Sequence, residues 1–88
     1  MYFYIKKLSV IDDKTIDVTF EDNLSGQVVI EKSWLTGVFE PLKKPEHFKQ
    51  VYIYNGAVSW KIDNYILDLA PDTMYKEIKN NNGTYIIK

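Results

Sequence analysis

Residues 51–60 read VYIYNGAVSW, with Asn55-Gly56 at the centre of the stretch. Both central residues tolerate positive φ, so they favour a two-residue β-hairpin loop. Such a loop fixes the strand register, because each position then has one partner across the hairpin. The predicted pairs are Tyr54 with Ala57, Ile53 with Val58, Tyr52 with Ser59, and Val51 with Trp60. The side chains predicted to face the core are those of Val51, Ile53, Val58 and Trp60.

The same alternation places Tyr52 and Tyr54 together on the second face of the hairpin. If water reaches this face, the two rings form an aromatic patch, which is more typical of an interface than of a catalytic site. The structural alternative is that a helix formed by residues 71–79 packs over this face. We expect the face to be a protein contact surface.

Upstream of the hairpin, the sequence predicts three meandering strands. Ile16, Val18 and Phe20 alternate with polar residues, a pattern typical of a half-buried antiparallel strand. A first strand leads from Ile5 to Val10, and residues 27–30 form the third. Polar turns at residues 12–14 and 21–26 separate the three strands.

Short helices are predicted between and after the strands. Ser33 is expected to cap a helical turn through Trp34 and Leu35 that Gly37 ends. Pro45 favours a short helix over residues 45–50, with Phe48 facing inward.

After the hairpin, Asp63-Asn64 predicts a turn before the apolar run of residues 65–69. Pro71 opens a helix that residues 80–83 end, and its apolar stripe consists of Met74, Tyr75 and Ile78. Residues 84–87 form either a last strand or a loose end.

Together these elements predict one α+β domain over residues 1–88: a small antiparallel meander sheet and a β-hairpin packed with two or three short helices. A chain of 88 residues has room for one core. Its composition, 45% hydrophobic and 26% charged, is that of a folded protein.

Composition argues against several classes of chemistry. Cysteine is absent, which excludes disulfides, thiolate nucleophiles and cysteine-bound zinc. His47 is the single histidine, so sites that need two imidazoles are excluded. All eleven basic residues are lysine and the net charge is −1, which weakens base-reading and general nucleic-acid binding. We expect no cofactor and no metal.

The conspicuous polar residues have competing interpretations. Asp68 and Asp72 could act together as a paired carboxylate or a cation site. The alternative is structural: Asp72 caps the start of a helix, and its charge is stabilised by the helix dipole. His47 is either a base or, as we favour, a solvent-facing residue. Trp34 and Trp60 either stack on a ligand or fill the core, and the core is favoured more strongly for Trp60.

Two motifs resemble a known family. GVFEPL at residues 37–42 and DLAPD at residues 68–72, with a hairpin ending in Trp60 between them, resemble the bacterial family catalogued as domain of unknown function 2442. The resemblance covers Ile5 to about Tyr75. It implies no established activity, but many short members look like halves of two-gene units of the toxin–antitoxin kind.

We therefore predict a binding or regulatory module, not an enzyme, that acts through protein contact and is the antitoxin-like half of a two-gene unit. Its expected partner is a protein encoded nearby, or a second copy. The candidate binding residues are Tyr52, Tyr54, Trp34, Asp68 and Asp72.

Two alternatives stay open. A nucleic-acid accessory would need the lysine pairs at residues 6–7 and 43–44 to converge on one face. A small-ligand binder or enzyme would need a deep polar pocket around Asp68, Asp72 and His47.

The expected location is the cytoplasm. No stretch is long and apolar enough for a membrane span, so we expect no contact with a membrane. The first lysines follow the apolar residues at the amino terminus, the reverse of a signal peptide.

Overall fold

A computed structural model describes residues 3–88 and has the predicted α+β class. The strands are β1 (Ile5–Val10), β2 (Thr15–Phe20), β3 (Ser25–Ile30), β4 (Tyr52–Tyr54), β5 (Ala57–Ile62), β6 (Tyr65–Asp68) and β7 (Thr84–Ile87). The α-helices are α1 (Pro45–Phe48) and α2 (Pro71–Asn80), and 3₁₀ turns span Lys32–Trp34 and Gly37–Lys43. None of these helices is long and apolar enough to cross a membrane.

The first sheet has the order β1-β2-β3-β7, and its first three strands form the predicted antiparallel meander. Ile16, Val18 and Phe20 are buried, as their alternation with polar residues predicts. The pairing of β1 with β2 shifts between Ile5 and Lys7, which makes Lys6 a β-bulge on an edge strand. Residues 84–87 are a strand, and β7 runs parallel to β3.

The second sheet contains the predicted hairpin. Tyr52, Ile53 and Tyr54 pair with Ser59, Val58 and Ala57, as the Asn55-Gly56 loop predicts. The fourth predicted pair is wrong, because β4 begins at Tyr52 and Val51 lies before the strand. A third strand, β6, extends the hairpin, and its Leu67 lies opposite Trp60.

The core contains side chains from both sheets and from α2. Trp60 is fully buried, as predicted, and its indole Nε1 donates a hydrogen bond to the carbonyl of Phe48 at 3.0 Å. The ring centroids of Phe48 and Trp60 lie 5.9 Å apart, so both packing and a hydrogen bond tie α1 to the hairpin. Helix α2 buries Met74, Tyr75 and Ile78.

The segment between the sheets differs from prediction. Ser33 does not cap a helix: it lies inside the turn Lys32–Trp34, which follows Glu31 and has no side-chain cap. Gly37 has φ of 60° and begins the next 3₁₀ turn. Helix α1 ends at Phe48, earlier than predicted, and Phe48 faces inward as expected.

Candidate protein-binding surfaces

Cross-strand pairing gathers one set of side chains on one side of the second sheet. We call this side the tyrosine face; it carries Tyr52, Tyr54, Ala57, Ser59, Lys61, Ile66 and Asp68. The rings of Tyr52 and Tyr54 are in edge contact, with centroids 6.3 Å apart. Tyr54 is 45% exposed and Ile66 is 46% exposed. Two large apolar side chains on this side therefore meet water.

The central strand forms the floor of the tyrosine face. Ala57 and Ser59 are buried there, and the Ser59 hydroxyl donates to the carbonyl of Ala57 at 3.1 Å. Because this hydroxyl already has an internal partner and no water reaches it, it is poorly placed to act as a nucleophile.

The structural alternative from the sequence was that helix α2 packs over the tyrosine face. Helix α2 packs against β3 and β7 of the first sheet. That position leaves Tyr54 and Ile66 exposed. Tyr54 is therefore open to water, and Tyr52 is half-buried.

The segment before β1 borders the hairpin loop. The amide of Ile5 donates to the carbonyl of Gly56 at 2.8 Å. A Cβ atom at Gly56 would lie 2.5 Å from the ring of Tyr4, so this ring lies directly on the loop. Tyr4 is itself 44% exposed and adds apolar area at the hairpin loop.

A second candidate surface joins Trp34 and Asp68. These two predicted residues line one cavity of about 340 Å³, which we call the aromatic cleft. Its side chains include those of Trp34, Phe39, Asp68, Leu69, Thr73 and Tyr85. The rings of Trp34 and Phe39 pack together, with their centroids 4.8 Å apart. Asp68, the last residue of β6, marks the boundary between the cleft and the tyrosine face.

The electrostatics of the cleft favour positive charge. Burial raises the pKa of the Tyr85 hydroxyl, and the nearby Glu77 carboxylate raises it further, so Tyr85 stays neutral. A cleft of three aromatic rings with a carboxylate can bind an alkyl ammonium or guanidinium group through ring faces and charge.

The remaining predicted polar residues do not assemble into a shared pocket. Asp72 is exposed in the first turn of α2, where the helix dipole stabilises a carboxylate. Ala70, however, occupies the cap position. Capping by Asp72 is therefore wrong. His47 is half-buried rather than solvent-facing, because its Nδ1 donates to the carbonyl of Pro41 at 3.0 Å. Among the described residues 3–88, the cleft that Asp68 lines includes neither Asp72 nor His47, and His47 lines two other hollows.

The lysine pairs are also separate. Lys6 and Lys7 line a hollow with Asp17, whereas Lys43 and Lys44 line another with Glu40. Each hollow contains a carboxylate that offsets its positive charge. Within residues 3–88, no cluster of three or more histidine and acidic side chains could hold a metal ion.

Ile66 of the tyrosine face, and Phe39 and Tyr85 of the aromatic cleft, were not predicted. Ile66 follows from the alternation of residues 65–69, once the run is recognised as a third strand. Phe39 and Tyr85 reach the cleft from segments 46 residues apart, so no local pattern marks them.

Comparison of the chain with models of known protein families, with curated proteins and with solved structures finds no match. The resemblance drawn from its two sequence motifs stays a prediction.

Proposed function

We propose that this protein is a small binding module that acts through protein contact at the tyrosine face. The observation that carries the proposal is the position of Tyr54 and Ile66, both nearly half exposed on the same side of one sheet. Tyr52 lies beside Tyr54 and widens the patch. Large apolar side chains grouped on one surface mark interaction sites more often than catalytic ones.

The chemistry of the face favours an apolar partner surface with hydrogen-bonding groups. Tyrosine buries a large ring while its hydroxyl still binds a polar group, and it is enriched at the centres of interfaces. Ala57 and Ser59 add no charge to the floor. The charged side chains of the face are Lys61 and Asp68.

The narrower form of the proposal is that the chain is the antitoxin-like half of a two-gene unit. Its support is the resemblance of GVFEPL and DLAPD to a bacterial family with many such short members. In this form, the partner is the product of a neighbouring gene, and the tyrosine face binds and neutralises it in the cytoplasm.

A second candidate function is self-association through the same face. Lys61 and Asp68 have opposite charges and lie on neighbouring strands. In a twofold-symmetric dimer every contact between two different residues occurs twice, so Lys61 of each copy can pair with Asp68 of the other. The isolated protein would then be a dimer.

The experiment compares three tagged forms of the protein after purification from the native host. They are the parent, a Tyr52→Ala/Tyr54→Ala double variant, and Tyr65→Ala as the matched control. Tyr65 is 65% exposed on β6, the edge strand farthest from β4, and it pairs with Ile62 on the other side of the sheet. We expect a stoichiometric partner with the parent and the control, and its loss from the double variant.

Thermal melting of all three proteins separates lost binding from lost folding. The double variant is expected to keep its melting temperature, because Tyr54 is exposed and Tyr52 is half-buried. Ile66→Ala provides a second change on the same face if the double variant unfolds. Retention of every partner by all the folded variants would exclude this face.

A further inference from the structure

A groove runs between α2 and the edge strand β7. Tyr85 lines both the aromatic cleft and a neighbouring hollow of about 260 Å³. Glu77 of α2 and Asn81, the residue that follows α2, form one wall of this hollow, and Thr84 and Ile86 of β7 form the other. Because Tyr85 lines both, the two cavities are neighbours; we call them together the acidic groove, defined by Trp34, Phe39, Asp68, Glu77 and Tyr85.

One side of β7 is available for hydrogen bonding to another strand. The carbonyls of Gly83 and Ile87 accept hydrogen bonds from the amides of Gln27 at 2.8 Å and Glu31 at 2.9 Å. Because backbone groups alternate in direction along a strand, the N–H and C=O of Ile86 point away from β3. Among the strands within residues 3–88, none pairs with this side.

The charges of the acidic groove have one sign. Asp68 and Glu77 are the charged side chains among those that line its two cavities, and both are carboxylates. The rings of Trp34, Phe39 and Tyr85 present negative π faces next to them. A basic side chain would find both kinds of attraction in the same groove.

We propose that the acidic groove binds an extended polypeptide segment that carries lysine or arginine. The segment adds to β7 as an extra strand, bonding the backbone of Ile86, while a basic side chain enters the aromatic cleft near Asp68. This mode combines main-chain hydrogen bonds for affinity with a side-chain pocket for specificity. The site does not use Tyr52 or Tyr54, shares Asp68 with the tyrosine face, and goes beyond the proposed function.

Two other ligands fit the groove less well. A small organic cation would use the rings and carboxylates but leave the edge of β7 unpaired. A nucleic acid would bring its phosphates against Asp68 and Glu77, whose charge repels them. The combination of an open strand edge and an acidic aromatic cleft therefore favours a polypeptide.

The test uses a capped heptapeptide in which valine and lysine alternate, titrated against the full chain. Binding is followed by calorimetry and by amide NMR shifts. We expect shifts at residues 84–87 and at Trp34, and binding about tenfold weaker for a peptide with glutamate in place of lysine. A peptide with proline at the central position loses a backbone donor, and we expect it to bind several-fold more weakly.

Protein variants identify the groove. Trp34→Leu is expected to weaken the lysine peptide about tenfold and Glu77→Gln about threefold to fivefold. Asp72→Asn removes an equal charge from an exposed position that lines neither cavity, so it is the matched control. Tyr54→Ala is expected to leave peptide binding unchanged, which separates this site from the tyrosine face.

Three results would overturn the proposal: equal binding of the lysine and glutamate peptides, shifts confined to the tyrosine face, or equal effects of Glu77→Gln and Asp72→Asn. Tetramethylammonium that bound as tightly as the peptide would assign the cleft to small cations instead. The Tyr52→Ala/Tyr54→Ala experiment is independent of all these outcomes.

Discussion

The hydroxyl of Tyr75 donates a hydrogen bond to the carboxylate of Asp22, which lies 53 residues earlier in the chain. Tyr75 belongs to α2 and Asp22 to the turn between β2 and β3. The ring of Tyr75 also meets Phe20 edge-on, with centroids 5.1 Å apart. The bond therefore ties α2, which carries Glu77, to the first sheet.

This bond predicts a pH-dependent stability. It lowers the pKa of Asp22 below its ordinary value of 3.8, helped by the amide of Leu24. A carboxylate with a depressed pKa stabilises the fold above its unfolded pKa, and the contribution is lost as pH falls through the folded value. Tyr75→Phe is therefore expected to lower the melting temperature at neutral pH, and the difference should shrink in acid below pH 3.8.

The tyrosine titration gives the alkaline side of the same prediction. The hydrogen bond to Asp22 raises the pKa of the Tyr75 hydroxyl above 10.0, so the contribution is complete below that pH and is lost above it. Asp22→Asn should have little further effect in the Tyr75→Phe background. A melting difference that is the same in acid and at neutral pH would contradict this role.

Trp60→Ala should destabilise the protein by about 3–5 kcal/mol, because it removes a fully buried ring and leaves a cavity. It also leaves the carbonyl of Phe48 without the Nε1 donor. Denaturant unfolding measures the loss. The matched control is Trp34→Ala, whose half-buried ring should cost less, and equal losses would show that Trp60 is not the centre of the core.

Gly26→Ala should destabilise by about 1–3 kcal/mol through overpacking. A Cβ at Gly26 would lie 2.6 Å from both the carbonyl oxygen of Gly83 and a methyl carbon of Ile78. Gly37→Ala is the comparison: no atom lies within 4 Å of its Cβ position. Its φ of 60° should still cost about 1 kcal/mol. A harmless Gly26→Ala would mean that α2 does not approach β3 so closely.

The local parts of the fold were predictable because their signals are local. Asn55-Gly56 determines the register of its hairpin, and the alternation around Val18 determines the buried side of β2. The tyrosine pair follows from the same register. The exposure of this pair could not be predicted from the register, because it depends on where α2 packs.

The non-local parts were not predictable from one sequence. The parallel pairing of β7 with β3 depends on the path through α2, and the aromatic cleft depends on the fold that brings Trp34 and Asp68 to one cavity. The 3₁₀ turn Gly37–Lys43 has no apolar period, and Pro41 lacks an amide donor, so neither helix nor strand was indicated.

The isolated protein should bind duplex DNA no better than weakly and without sequence preference. It has no arginine, and its lysine pairs line separate hollows that each include a carboxylate. A mobility-shift titration at physiological salt tests this. Sub-micromolar, sequence-dependent binding would make the chain a direct regulator of DNA.

The most direct test of the tyrosine face is calorimetric titration of the co-purified partner into purified parent, Tyr54→Ala and Tyr65→Ala. A central interface tyrosine commonly contributes about 2 kcal/mol or more, so Tyr54→Ala should weaken binding roughly thirtyfold. Tyr65→Ala, on the opposite side of the sheet, should stay within about twofold of the parent. Equal affinities of the Tyr54 variant and the parent, with both proteins folded, would contradict binding through the tyrosine face.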